Sequence, residues 1–120
     1  MPAPDPAILA RKAQIVDRLR HVLPPNAVIS DEAETRAYEC DALTAYRCPP
    51  LAAVLPSSTA EVSAVLRVCH EEGVPVVPRG SGTSLAGGAL PTADSVILGV
   101  ARMSEVLETD YQNRFIRVQT

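Results

Sequence analysis

The chain has 120 residues, 47% of them apolar but only 3% aromatic, and a formal net charge of -3. A chain of this length makes one domain or part of one, and buries about two thirds of its unfolded surface in a core that here has to be aliphatic. The charge gives no field that would gather nucleic acid, and no apolar run approaches the roughly 18 residues that cross a bilayer.

Met1-Pro2-Ala3-Pro4-Asp5-Pro6 is polar and proline-rich, and Arg11 and Lys12 follow Ile8 and Leu9 instead of preceding them. That is the wrong order for a secretory signal, so a cytoplasmic chain is expected. From Pro6 to about Leu23 the residues Ile8, Leu9, Ile15, Val16, Leu19 and Leu23 recur at helical intervals with Arg11, Arg18 and Arg20 between them. This predicts an amphipathic helix, ended by Pro24-Pro25. Ser30 is placed to cap a second helix from Asp31 to about Tyr38, whose acidic first turn suits the positive end of the helix dipole. Residues 39–50 carry no period and are expected to connect.

The centre of the chain reads as a β-α-β unit. Ala52-Ala53-Val54-Leu55 is short, apolar and closed by Pro56. Ser58 with Glu61 predicts a capping box, and Val62, Val65, Leu66 and Cys69 share one helical face before Gly73 stops the helix. Val74 to Val77 then returns as a strand, which implies a right-handed parallel crossover. Further on, Ser95 to Val100 reads as a buried strand. Glu105 to Thr109 and Arg114 to Gln119 flank the polar Asp110-Tyr111-Gln112-Asn113, as in an antiparallel hairpin that stops at Thr120 with no terminating turn.

Cys40, Cys48 and Cys69 are odd in number, lack C-x-x-C spacing and have no histidine at zinc-like intervals, so they are expected to be small reduced hydrophobes. His70 reads as a residue of the helix C-terminus and not as a catalyst.

The most informative stretch is Pro78-Arg79-Gly80-Ser81-Gly82-Thr83-Ser84-Leu85-Ala86-Gly87-Gly88-Ala89-Leu90-Pro91. Four of the six glycines of the chain fall in nine of its residues, directly after the β-branched run. Small side chains let successive backbone N–H groups approach a ligand, and glycine supplies the positive φ that folds them into an anion-binding nest. A Rossmann fingerprint fails on spacing, since Leu85 stands three after Gly82 and no helical pattern follows. A Walker loop fails too, because Gly88 and Ala89 stand where lysine and a hydroxyl residue are needed. Against a flexible linker, Leu85, Ala86 and Leu90 lie among the glycines and Pro78 and Pro91 bracket them.

This loop resembles the pyrophosphate-binding segment of the FAD-linked oxidases of the vanillyl-alcohol-oxidase and p-cresol-methylhydroxylase (PCMH) type, which typically carry R-G-x-G-T-S/G-L-x-G-G-x-x-P. The flanks, Tyr38-Glu39-Cys40-Asp41-Ala42-Leu43-Thr44-Ala45-Tyr46-Arg47, Pro50-Leu51, Val54-Leu55-Pro56, Val68-Cys69-His70 and Val74-Pro75-Val76-Val77, are similar to the FAD-binding D subunits of bacterial glycolate oxidases. The likeness runs from about Tyr38 to Thr120. It implies an α+β, PCMH-type FAD-binding fold with N-terminal helices, a small parallel β-α-β subdomain and the start of a second, antiparallel sheet. Residues 1–37 would be an N-terminal helical segment, and residues 38–120 the N-terminal part of an FAD-binding domain, with the chain a fragment of a protein of several hundred residues.

Carried over residue by residue, the resemblance implies FAD contacts at Arg79, Gly80, Ser81, Gly82, Thr83, Ser84, Gly87, Gly88 and Ala89. Arg79 contributes either its backbone alone, with a side chain serving as surface charge, or both. Thr83 stands where covalently tethering members have histidine, so FAD is expected to be non-covalent. Tyr46 and Arg47 are weighed as support for the loop or flavin against ordinary packing and surface charge. The implied activity of the whole protein is oxidation of a short 2-hydroxy acid such as glycolate or D-lactate, by hydride transfer to flavin and electron exit to a partner subunit or carrier, with peripheral attachment to the inner membrane through partners. The catalytic groups are expected outside these residues, leaving the fragment itself inactive. The alternatives are another FAD-linked D-2-hydroxy-acid dehydrogenase, for D-lactate or D-2-hydroxyglutarate, the flavin reductase of peptidoglycan precursor synthesis, which the Tyr38 to Arg47 match disfavours, and a non-catalytic nucleotide-binding module.

Overall fold

A computed structural model describes residues 2–119; the expected chain end at Thr120 lies outside the described residues. The N-terminal pattern folds as two helices, α1 (Pro6–Ala10) and α2 (Lys12–Val22), with a break at Arg11, where φ is -99° and ψ 12°. Asp5 caps α1 by accepting from the Ala7 amide. The next helix, α3 (Glu32–Thr35), is followed by a 3-10 turn over Arg36–Tyr38. Its cap is Asp31, which accepts from Ala33 and Glu34, and not Ser30 as the sequence suggested. The Ser30 hydroxyl instead takes a bond from Arg20 Nη2 at 3.0 Å. Aspartate caps as well as serine does, so local preference alone did not separate the two.

Helix α4 (Thr59–Glu72) has both ends closed by its own sequence. Ser58 Oγ accepts from the Glu61 amide at 3.3 Å, whereas the Glu61 carboxylate reaches the amide and hydroxyl of Ser57, one residue earlier than a capping box requires. At the other end Gly73 adopts φ +67°, and the amides of Gly73 and Val74 bond to His70 and Cys69 carbonyls, a Schellman motif. Val65, Val68, Cys69 and Glu72 are buried, while Leu66 is exposed, so the inward face is rotated from the one expected to include Leu66. Glu72 sits in this apolar stripe where α2 and the Arg11 break before it meet it with cations. Arg11 Nη1 pairs with it, Arg18 Nη1 lies 2.7 Å away, and Gln14 donates as well. The Arg18 hydrogen bond holds the Glu72 carboxyl below the usual glutamate range.

Four strands, β1 (Val28–Ile29), β2 (Ala52–Val54), β3 (Val76–Arg79) and β4 (Val96–Gly99), form one sheet in the order β1-β2-β4-β3. The three later strands are parallel, and β1 runs antiparallel on the outside. The expected crossover from β2 through α4 to β3 is present, but β4 occupies the place between them. The inner strands β2 and β4 are buried at every residue, while the edge strand β3 is half-buried and tolerates Pro78. The core is aliphatic, joining Ile15, Leu19, Leu51, Val54, Val65, Val96 and their neighbours in one cluster. Strand β3 begins at Val76, because Val74 is used in closing the helix.

The second sheet is the hairpin β5 (Val106–Asp110) and β6 (Phe115–Val118), antiparallel with a bulge between Val106 and Glu108. The Asp110 carboxylate accepts from the amide and the side chain of Asn113, which closes the turn and lowers the aspartate's affinity for a proton. Gln119 ties the hairpin to the turn between β2 and α4, its Nε2 donating to the Ser57 carbonyl at 3.1 Å.

Candidate functional site

Strands β3 and β4 are parallel neighbours, so residues 80–95 must carry the chain from the carboxyl end of one back to the amino end of the other. Such crossovers usually contain a helix. Here the glycine loop itself makes the crossing, and it divides into two parts. From Ala89 onward it is packed into the protein: Ala89, Pro91, Asp94 and Ser95 are buried, and Ser95 Oγ bonds both the amide and the carbonyl of Thr92. At Gly80 it leaves β3 from the carboxyl end of the sheet, the side where open α/β sheets present ligand crevices.

Among the described residues, the amides of Gly80, Ser81, Gly82 and Thr83 have no protein acceptor. The Ser84 hydroxyl accepts from the amides of Ala86 and Gly88, at 3.2 and 3.3 Å, which folds the second half of the loop and leaves the hydroxyl proton to give. The Gly88 amide, expected from sequence to face a ligand, is thus engaged inside the loop, and Ala89 is only 6% exposed. Leu85, read from sequence with Ala86 and Leu90 as a mark of a fixed loop, is 74% exposed.

The glycines answer different needs. Gly82 adopts φ +73°, and a Cβ there would fall on the guanidinium of Arg79. Gly80 has no positive φ, and a Cβ built on it meets nothing within 4 Å. Its own chain gives Gly80 no reason to be glycine. Open room above a bare α-carbon, flanked by unbonded amides, suits a group arriving from outside.

Arg79 is the one charged residue of the loop from Pro78 to Pro91. Its side chain is not a free surface charge, one of the two roles weighed from sequence. Nη1 donates to the Cys40 carbonyl at 2.7 Å, and Cζ stands 5.8 Å from the centre of the Tyr38 ring. Sequence reasoning missed this contact because Arg79 and Cys40 are 39 positions apart and neither carries a motif for the other. Next to it, Asp41 is buried; Oδ1 accepts from Leu43, while Oδ2 has no partner among the described residues. Arg47 pairs with Glu39 at 3.0 Å, and Tyr46 is exposed, so neither side chain is joined to the loop by a hydrogen bond. His70 is exposed on the last turn of α4, and burial pushes the Cys69 thiol up to about 11, which keeps it protonated and unreactive.

The glycolate oxidase subunit GlcD of Escherichia coli (strain K12) is 44% identical to this chain over 108 residues, covering 90% of the chain and 22% of the relative. A D-lactate dehydrogenase of Archaeoglobus fulgidus is 48% identical over 61 residues, 51% of the chain and 14% of the relative. The chain therefore spans about a fifth of the length of the first of these and less of the second. Among solved structures, p-cresol methylhydroxylase with substrate bound superposes with a TM-score of 0.73 at 20% identity, covering 90% of this chain and 21% of the other, which shows the same fold. A family model for the FAD binding domain matches residues 50–120, a stretch that begins just before β2 and takes in α4, the whole glycine loop and the hairpin, so the chain belongs to the FAD-binding domain family and has its PCMH-type fold.

Proposed function

We propose that this chain supplies the diphosphate-binding segment of an FAD-dependent oxidoreductase that converts a short 2-hydroxy acid, glycolate or D-lactate, to the 2-oxo acid. The single observation that carries the reading is the run of unbonded amides from Gly80 to Thr83 at the carboxyl end of β3. These residues fit a diphosphate. The amides present donors, Gly80 offers unfilled space, and the hydroxyls of Thr83 and Ser84 have protons to add. A charge-assisted hydrogen bond of this kind stabilises by roughly 1.5–3 kcal/mol. Within the set Arg79, Gly80, Ser81, Gly82, Thr83, Ser84, Gly87, Gly88 and Ala89, direct contact falls to Gly80–Ser84 and Gly87, while Gly88 and Ala89 shape the loop from inside.

When bound, FAD supplies the acceptor for the hydride leaving the hydroxyl-bearing carbon. The chain's part is to hold and orient the nucleotide end of that group. Thr83 has no ring nitrogen able to bond the flavin, so this loop makes no covalent link to it, and we read the cofactor as held non-covalently. The names of the relatives, glycolate oxidase subunit and D-lactate dehydrogenase, support the substrate class, and the word subunit supports a multi-chain enzyme that passes electrons onward. In this reading residues 38–120 begin the FAD-binding domain, residues 1–37 form a helical segment ahead of it, and the protein works in the cytoplasm, attached to the inner membrane through partners. Among the described residues no helix is long and apolar enough to cross a membrane.

The test is to purify the full-length protein, add FAD, and assay a panel of 2-hydroxy acids with an artificial electron acceptor. Activity on glycolate or D-lactate, with flavin released into the supernatant on acid precipitation, is the expected result. Flavin that stays with the precipitate would refute the non-covalent link, and absence of flavin binding would refute the whole reading.

A further inference from the structure

The Arg79 guanidinium is the point at which two distant stretches of chain meet. The backbone of Arg79 ends β3, where its carbonyl accepts from the Val100 amide at 3.0 Å. Its side chain reaches the segment that follows α3: Nη1 bonds the Cys40 carbonyl at 2.7 Å, and the cation stands over the Tyr38 ring within the range of a cation–π contact. The same guanidinium lies under the α-carbon of Gly82, since Nη2, Cζ and Nε are the three atoms that a Cβ at Gly82 would strike. One planar cation therefore has the Tyr38–Cys40 segment on it and the turn of the loop against it.

We propose that Arg79 is a positioning residue: it braces the glycine loop against Tyr38 and Cys40, so that the loop holds its diphosphate-receiving shape before any ligand arrives. The proposal rests on the reading of this loop as the FAD site. Among the described residues, the stretch from Gly80 to Thr83 has no hydrogen bond of its own to hold it, and Leu85 is largely exposed. The bonds of Ser84 order only the part beyond. What remains to fix the first half is the left-handed turn at Gly82 and the guanidinium packed beneath it. Planarity matters here. A lysine can reach the carbonyl, but it cannot present a flat face to the ring and the α-carbon together.

Two measurements on the full-length protein test this. The first is hydrogen exchange without FAD. Arg79→Met should speed exchange about tenfold at the hydrogen-bonded amides on both sides of the brace, Ala86 and Gly88 in the loop and Glu39 and Cys48 in the other segment, and Tyr38→Leu should do the same to a lesser degree, because either change loosens the brace from both sides. The second is a double-mutant cycle on the dissociation constant for FAD. Arg79→Met should weaken binding about tenfold to a hundredfold, Tyr38→Leu less, and the double variant no more than Arg79→Met alone, with Arg79→Lys recovering part of the loss. If Tyr38→Leu leaves both loop exchange and FAD binding untouched while Arg79→Met weakens binding, Arg79 is a direct ligand of the diphosphate and the bracing role is overturned. If the wild-type protein binds no FAD, the cofactor reading fails, while the exchange experiment still decides whether Arg79 shapes the loop.

Discussion

The β2–α4–β3 unit and the loop that leaves it follow opposite rules. In the unit, the helix ends and the buried carboxylate are met by groups of the same chain. Ala52–Val54 are buried, Ser58 and Gly73 close the two ends of α4, and the one carboxylate in its apolar stripe, Glu72, is met by Arg11, Arg18 and Gln14. In the loop, the successive amides from Gly80 to Leu85 have no acceptor among the described residues, Leu85 faces solvent, and a Cβ on Gly80 would meet nothing within 4 Å. A segment built for its own chain closes its hydrogen bonds, because a buried unpaired donor is costly. The free donors of the loop stand at the carboxyl end of β3, and in the proposed reading a ligand takes them up. The hairpin lies between these cases: its backbone is paired, but Val106, Leu107, Ile116 and Val118 remain exposed.

Substitutions in the full-length protein can break this contrast or sharpen it. Ile97→Ala removes a side chain with no exposure from the inner strand β4 and should cost about 2–5 kcal/mol in denaturant unfolding, with FAD affinity unaltered under conditions where the protein is folded. Gly82→Val puts a β-branched residue at φ +73° and onto the Arg79 guanidinium. It should cost about 1–3 kcal/mol of local strain and eliminate the visible flavin absorbance of the purified protein; full flavin content would contradict the assignment. Thr83→Ala should leave unfolding unchanged and weaken FAD by about 1 kcal/mol in a titration, and an unchanged constant would restrict Thr83 to its backbone. Gly80→Ala makes the sharpest separation. With ordinary φ and open space, alanine should stabilise the fold by about 0.4–1 kcal/mol through the unfolded state, yet weaken FAD binding by crowding the ligand. Loss of stability without loss of affinity would show that the loop serves its own chain after all.

Much of the fold is legible because its signals are local. The Ser58 cap, the Gly73 stop and the β-branched residues of β3 act over a few positions, and short-range sterics and hydrogen bonding decide them. Boundaries shifted where neighbours compete: Asp31 displaced Ser30 as a cap, Glu61 turned to Ser57, and Val74 went to the helix end instead of the strand. The inward face of α4 takes in Val68 and Glu72 and leaves out Leu66, and Glu72 is met there by Arg11 and Arg18, partners that helical periodicity does not name.

Residues 78–91 by themselves determined that a near side-chain-free backbone follows a strand, since composition restricts which conformations and ligands such a stretch admits. The tertiary structure alone decided that β4 lies between β2 and β3, that the two residues of β1 join the same sheet, and that Arg79 is held by Tyr38 and Cys40. Each of these joins groups tens of positions apart. Many partners are chemically acceptable for an unpaired strand edge or a guanidinium, and only packing of the whole chain selects one.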